Sequence, residues 1–398
     1  MGTVLSRLGL STILRDMPRV PTRIMEEEIE QLRAQGREVL KLIPMPDVEL
    51  PGHIIEAAQA AAAKPQLVYP IGLPELRQGI AAQLHEEMGI EIDPETEILV
   101  TYGANHALFL AISTILNEGE EVLLPTPGYF IDGIVVMAKG RLNCALMSEA
   151  EEYRLDVQKL EKSISAKTRV IYLVSPQNPT GHVITEDELQ AVADLAERHN
   201  LFVLSDESYE RMVYDGRRVL SPICLPQMRE RTILIRSFTK SYLMPEWRVG
   251  YIVAPATLIE QVVKLMEWMC LYGSYVSQKA AAAAVWGPQE WTRLATLKMQ
   301  KDRDMFYQGI CETEGLSAVK PQGGPFFFIN ISALGIEEEE FRVKLLREYG
   351  IPTLAGKDLK ETGHLRLRYG GKPDALRKTM DGLKQAAMEV GLHRVRRA

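Results

Sequence analysis

Thr232-Ile233-Leu234-Ile235-Arg236-Ser237-Phe238-Thr239-Lys240, followed closely by Trp247-Arg248-Val249-Gly250-Tyr251, places a lysine directly after a strand-like apolar run. Ser237 and Arg248 flank that lysine. A lysine at a strand end can attack an aldehyde carbon once its amine has lost its proton. A nearby hydroxyl and guanidinium can hold a phosphate. Taken alone, the stretch is also what an ordinary surface lysine after a strand looks like. Three other stretches, all earlier in the chain, give it weight.

Asn178-Pro179-Thr180-Gly181 follows Val170-Ile171-Tyr172-Leu173-Val174, which reads as a buried strand. Asp206-Glu207-Ser208-Tyr209 follows Leu201-Phe202-Val203-Leu204. Thr101-Tyr102-Gly103-Ala104-Asn105 lies between Ile98-Leu99-Val100 and a helical pattern over 106–116. Polar turns at the carboxyl ends of such strands are where open α/β sheets bind ligands. A ligand with both an aldehyde and a phosphate would use all four stretches, and pyridoxal 5'-phosphate has both. With these four motifs the chain resembles the class I/II aminotransferases of fold type I. Tyr69-x-x-Gly72-x-x-x-Leu76-Arg77-x-x-Ile80-Ala81 and Pro125-x-Pro127-x-Tyr129 fit the same family. The resemblance runs from about Pro51 to Arg368.

The resemblance implies an α/β fold type I enzyme dependent on pyridoxal 5'-phosphate. Its large domain would hold a mostly parallel sheet covered by helices, beside a smaller α+β domain. The expected division is 47–286 for the large cofactor-binding domain, and 1–46 with 287–398 for the small domain and N-terminal arm. The pattern along the chain agrees: apolar runs alternate with helical stretches from Gly52 to about Trp286. Strands are predicted near 98–101, 121–124, 170–174, 201–205, 232–236 and 249–253. Thr185-Glu186-Asp187-Glu188 predicts a capping box opening a helix to about His199. Gly287-Pro288 opens a second region, with one long helix from Gln289 to Cys311. Strands follow at Phe326-Phe327-Phe328-Ile329 and from His364 to Tyr369.

Composition bounds the partners. The 398 residues carry 46 Lys and Arg against 53 Asp and Glu, a net charge of −7. That balance argues against nucleic acid as the main partner, and no uncharged run approaches the ~18 residues of a membrane span. Cys144, Cys224, Cys270 and Cys311 are scattered, and the seven histidines lack metal-site spacing. No metal is therefore expected, and a reducing cytoplasm fits. Met1-Gly2-Thr3-Val4-Leu5-Ser6 matches a loose myristoylation pattern, but a plain arm or short helix is the expectation.

The resemblance assigns roles residue by residue. Lys240 is the Schiff-base lysine, and its freed amine moves the substrate proton. Asp206 pairs with the pyridine nitrogen, although an Asp after a strand is also a common helix cap. Tyr209 and Asn178 bond the cofactor's phenolic oxygen, Asn178 also lying near the substrate, and Tyr129 stacks on its ring. Gly103, Ala104 and Asn105 open a helix whose free N–H groups suit the phosphate, with Ser237 and Arg248 completing the cup. Tyr69 matches the residue that reaches the phosphate of a neighbouring subunit, which implies a homodimer with shared sites. Arg366 matches the arginine that binds the substrate α-carboxylate. Arg368 falls on the same face of a strand and is the fallback.

The chain departs from the family pattern in places. Glu246 stands before Trp247-Arg248 where Gly is usual, and Thr239 precedes the lysine where Ser is usual. Leu42-Ile43-Pro44-Met45-Pro46 replaces a Gly-x-Pro segment that lines the substrate. The expected reaction moves an amino group between an α-amino acid and a 2-oxo acid. The alternative is a same-fold enzyme that eliminates, replaces or cyclises at the β- or γ-carbon with the same lysine, aspartate and tyrosine. A cofactor-sensing DNA-binding regulator is disfavoured, because the ~50 residues before the core are too few for a module and its linker.

Overall fold

Apolar runs without alternation form strands buried on both faces. In the run 170–174, Val170, Tyr172 and Val174 enter one hydrophobic cluster, while Ile171 and Leu173 enter another on the opposite face. The structure, a computed structural model, describes residues 11–395. The amino-terminal hexapeptide weighed above lies outside them. The larger sheet contains β1 (Ile98–Thr101), β2 (Glu121–Thr126), β3 (Arg141–Leu146), β4 (Thr168–Val174), β5 (Phe202–Asp206), β6 (Thr232–Ser237) and β7 (Gly250–Val253). Their spatial order is β1-β7-β6-β5-β4-β2-β3. β7 runs antiparallel to both neighbours, and the other pairs are parallel.

Helices cover both faces. Ala104–Ile115 and Ala256–Met269 pack on one. Gly52–Ala63, Pro74–Met88 and Tyr275–Trp286 bury Ile54, Leu76 and Ala281 against β1, β6 and β7 on the other. The Thr185 box forms as expected: its hydroxyl accepts from the Glu188 N–H at 3.4 Å, and the Glu188 carboxylate accepts from the Thr185 N–H at 2.7 Å. Such a cap contributes about 1 kcal/mol. β3 escaped the sequence reading because Arg141-Leu142-Asn143-Cys144-Ala145-Leu146 lies on the sheet edge. Most of its side chains are only partly covered, so it shows no apolar run.

A second, antiparallel sheet holds β8 (Ser317–Ala318), β9 (Phe326–Asn330), β10 (Thr353–Ala355) and β11 (His364–Arg368) in the order β10-β11-β9-β8. Glu290–Cys311 and Pro373–Val395 bury Phe306 and Leu383 against Phe327, Leu365 and Leu367. The early part of the chain packs here too. Met25, Ile29 and Val39 cluster with Leu346 and Leu354, and Glu28 pairs with Arg342 at 2.7 Å. The Ile43 N–H donates to the Gly370 carbonyl at 3.0 Å. A Cβ on Gly370 would stand 2.1 Å from the Met45 carbonyl oxygen, so only glycine lets this segment lie beside the end of β11.

Candidate active site

β4, β5 and β6 are parallel, so the turns after them share one edge of the sheet. A cavity of about 210 Å³ opens there. Lys240, Asp206, Tyr209, Asn178 and Tyr129 line it, together with Ala104, Asn105, Ser237 and Arg248 at one end. The four motifs thus converge although up to ~140 residues separate them in sequence. Lys240 is not the last strand residue. β6 ends at Ser237, whose hydroxyl accepts from the Thr239 N–H at 3.1 Å, and Lys240 follows in the single turn Phe238–Ser241.

The end of the cavity near Ala104 is built for an anion. Gly103 precedes the helix Ala104–Ile115 at φ +81°, a left-handed value that favours glycine. No side chain caps that helix, which leaves its first N–H groups for a ligand. A Cβ on Gly103 would lie 2.5 Å from a guanidinium nitrogen of Arg248, a second reason for glycine. Arg248 is held by neutral acceptors only: Thr239 Oγ1 at 3.3 Å, the Pro245 carbonyl at 3.1 Å and the Tyr102 carbonyl at 3.3 Å. Its charge faces the cavity without a carboxylate partner among the described residues.

Asp206 ends β5 and is buried. One carboxylate oxygen accepts from the Tyr172 hydroxyl at 2.9 Å, and the other from the Ser208 N–H at 3.0 Å and hydroxyl at 2.6 Å. Burial pushes its pKa above the usual carboxylate value, and the Ser208 and Tyr172 bonds oppose that. Burial pushes the Lys240 amine down to about 7, with Arg368, Arg248 and Arg366 adding to the effect and Glu246 opposing it. Glu246, read as a departure from the family pattern, thus acts on the lysine by its charge.

Arg366 leaves β11 and is buried. It donates to Asn178 Oδ1 at 2.9 Å, while the Asn178 amide donates to the Tyr209 hydroxyl at 3.3 Å. Its guanidinium lies over the Phe326 ring at 4.5 Å, and its Nε finds no acceptor. Burial lowers its pKa to about 10, Arg368 adding to the shift. Tyr129 donates to Asn105 Oδ1 at 3.4 Å and packs against Phe130.

Tyr69 is 77% exposed and does not line this cavity. Its motif serves the fold: Leu76 and Ile80 are core residues, and a Cβ on Gly72 would meet Val100 at 2.4 Å. Three groups at the site escaped assignment from sequence. Tyr172 and Ser208 hold Asp206, and Thr239 holds Arg248. Ser208 and Thr239 sit inside the quoted motifs, so their position was a signal. Tyr172 was hidden in an apolar run, where a tyrosine reads as packing.

Comparison with known proteins identifies the family and the fold. The family model for aminotransferase class I and II matches residues 46–383. The aspartate aminotransferase of Pyrococcus abyssi is 35% identical over 91% of this chain and 95% of its own length. The aromatic-amino-acid aminotransferase 2 of Thermococcus litoralis is 33% identical over 90% and 94%. Among solved structures, the Thermus thermophilus aspartate aminotransferase with maleate superposes with a TM-score of 0.89 at 29% identity, covering 95% of this chain and 99% of that one. A mostly parallel sheet with the lysine, aspartate and arginine motifs on one edge, and a family match over most of the length, place this chain in the class I and II aminotransferases.

Proposed function

We propose that the cavity binds pyridoxal 5'-phosphate and that Lys240 is the residue linked to it. The observation that carries this reading is a lysine amine lowered to about 7 in the same cavity as a buried aspartate and an unpaired arginine. The residues fit the group. Gly103, Ala104, Asn105, Ser237 and Arg248 offer N–H, hydroxyl and guanidinium donors for a phosphate. Tyr129 offers an aromatic wall, and Asn178 and Tyr209 offer donors for a phenolic oxygen. Bound there, the cofactor supplies an electron-withdrawing ring that accepts the electron pair left when a substrate Cα–H bond breaks. Asp206 supplies the anion for its ring nitrogen. Lys240 Nζ, once free, takes the proton from the substrate Cα as a general base and returns it as a general acid. Running the exchange with an amino acid and then a 2-oxo acid transfers the amino group.

The lowered Lys240 amine sets a pH dependence. Only the neutral amine attacks an aldehyde, so cofactor capture by the cofactor-free chain should rise about tenfold per pH unit below 7 and level off above it. Stopped-flow absorbance measures this. A rise that continues past pH 9 would describe an ordinary solvated lysine and remove the proposed environment.

Arg366 is proposed to read the substrate α-carboxylate, since its Nε is unsatisfied and its charge unpaired. Arg366→Lys keeps the charge and loses the two-pronged bond. We expect kcat/KM for an α-amino acid to fall by roughly 100-fold. The matching amine without the carboxylate should lose far less. Equal losses for the two substrates would take Arg366 out of this role.

A homodimer with shared sites is proposed as well. Tyr69 is exposed away from its own cavity, and Leu67, Trp268 and Leu271 are also strongly exposed. Paired copies would bury such apolar surface. Sedimentation of a single 44.7-kDa species at micromolar concentration would count against it. A reducing, cytoplasmic location is proposed from the four free cysteines, and cell fractionation tests that placement. Among the described residues no helix is long and apolar enough to cross a membrane.

A further inference from the structure

His364 and Arg366 stand two residues apart on β11, so their side chains share a face. Leu365 and Leu367 take the opposite face, in the core of the smaller sheet. The shared face meets the larger sheet. Phe328, on the neighbouring β9, is buried in one cluster with Tyr153, Ile171 and Leu173. The His364 ring stacks on Phe328 with centroids 4.6 Å apart, and the Arg366 guanidinium lies over Phe326 of the same strand. Each of the two residues also bonds outside its own sheet. Arg366 donates to Asn178 Oδ1, and Asn178 lines the cavity. His364 Nε2 lies 3.2 Å from Glu149 Oε2, in the short turn Glu149–Glu151 that follows β3.

The other ring nitrogen of His364, Nδ1, is 2.9 Å from the Thr362 carbonyl oxygen. A carbonyl and a carboxylate only accept, so both ring nitrogens donate, and only the imidazolium carries two N–H groups. The remaining ionisable groups around it are acidic. The Tyr153 hydroxyl is 3.3 Å from Nε2. Glu361 acts on the ring from the segment before β11, and one of its carboxylate oxygens finds no donor. Glu338, on the helix Glu338–Tyr349, accepts the His364 backbone N–H at 3.3 Å. Asn330, opposite His364 on β9, donates to Glu149 Oε2 at 2.6 Å and fixes that carboxylate. Burial lowers the His364 pKa, but Glu149, the Thr362 carbonyl and Glu361 outweigh it and hold the pKa above its usual value. The His364 bond in turn holds the Glu149 carboxyl below its usual value.

We propose that His364 is a positioning residue: its charged ring pairs with Glu149, docks the start of β11 on the turn after β3, and so holds Arg366 against Asn178 for a substrate carboxylate. This rests on the reading of Arg366 as the partner of that carboxylate. The pair is complete below about pH 6.5, where the imidazole is charged in any setting. It is lost as the pH rises through the raised His364 pKa.

Propionate, a single carboxylate, is the probe, and calorimetry on the cofactor-loaded protein reads its affinity. His364→Gln keeps a donor toward Glu149 but no charge. It should weaken propionate by about tenfold at pH 6 and by less than about twofold at pH 9. Taking the ratio of variant to native at each pH cancels the titration of Lys240, which both proteins share. Glu149→Gln should show the same loss at pH 6, and the double variant should lose no more than either single one. Affinity for pyridoxal 5'-phosphate should stay within about twofold throughout, which guards against a misfolded variant. A ratio that is the same at pH 6 and pH 9, or losses that add in the double variant, would mean that His364 only supports the fold and would overturn the inference. Arg366→Gln in the same titration tells the two failures apart. If it abolishes propionate binding while the His364 ratio stays flat, the inference falls and the reading of Arg366 stands. If it binds propionate like the native protein, that reading falls and takes the inference with it.

Discussion

Lys240→Ala should reduce amino transfer by roughly 10⁴-fold or more, since it removes both the covalent attachment and the proton carrier. The side chain lies in the cavity beside Thr239 and Arg248, and its amine is held near 7 by burial and by three arginines. Truncation there removes a charge repelled by its neighbours, so the fold should survive. Lys240→Arg is the informative partner. It keeps a cation of similar reach, but a guanidinium is neither a nucleophile nor a base at neutral pH. If the position matters only for its charge, the arginine variant will work and the alanine variant will not. We expect both to fail. In the native protein, borohydride should fix the cofactor covalently to the peptide containing Lys240. Recovery of the label on any other lysine sinks the assignment.

Asp206→Asn should retain cofactor yet lose about 10³-fold in kcat, roughly 4 kcal/mol of barrier. The amide preserves one oxygen for the Ser208 N–H and hydroxyl, so the turn after β5 keeps its shape. It cannot supply a negative charge, and that charge is what keeps a pyridine nitrogen protonated and the ring electron-poor. Tyr172→Phe removes only one of the hydrogen bonds to the carboxylate and should cost far less. Single-turnover absorbance with an α-deuterated amino acid locates the loss. A full isotope effect in the slowed variant places it at Cα–H cleavage. Near-native turnover in Asp206→Asn would remove the aspartate from the role.

Much of this was legible before any coordinates because the relevant physics is local. A continuous apolar run such as Val170–Val174 is a doubly covered strand, and a polar turn after it stands at the sheet edge where parallel strands present ligands. Gly103 must be glycine for its own φ and for the guanidinium beside it. The Thr185 capping box needs only residues 185–188. Each feature lies within a handful of residues, so the motifs carried the fold and most of the lining of the candidate site together.

The rest depended on separations that periodicity does not encode. β3 was invisible because an edge strand needs no apolar run. Tyr172 looked like core until its hydroxyl proved to lie 2.9 Å from Asp206. The choice between Arg366 and Arg368 could not be made from chemistry, since both share a strand face. Only the packing of β11 on the turn after β4 gives Arg366 a bond to Asn178 and leaves Arg368 without a hydrogen-bond partner among the described residues. The sequence by itself determined which residues can do the chemistry, because side-chain type and strand-end position are local properties. The tertiary structure decided their electrostatics. The lowered Lys240 amine arises from groups that meet only when both sheets are assembled, and Asp206 takes its setting from Tyr172 on β4 meeting the turn after β5.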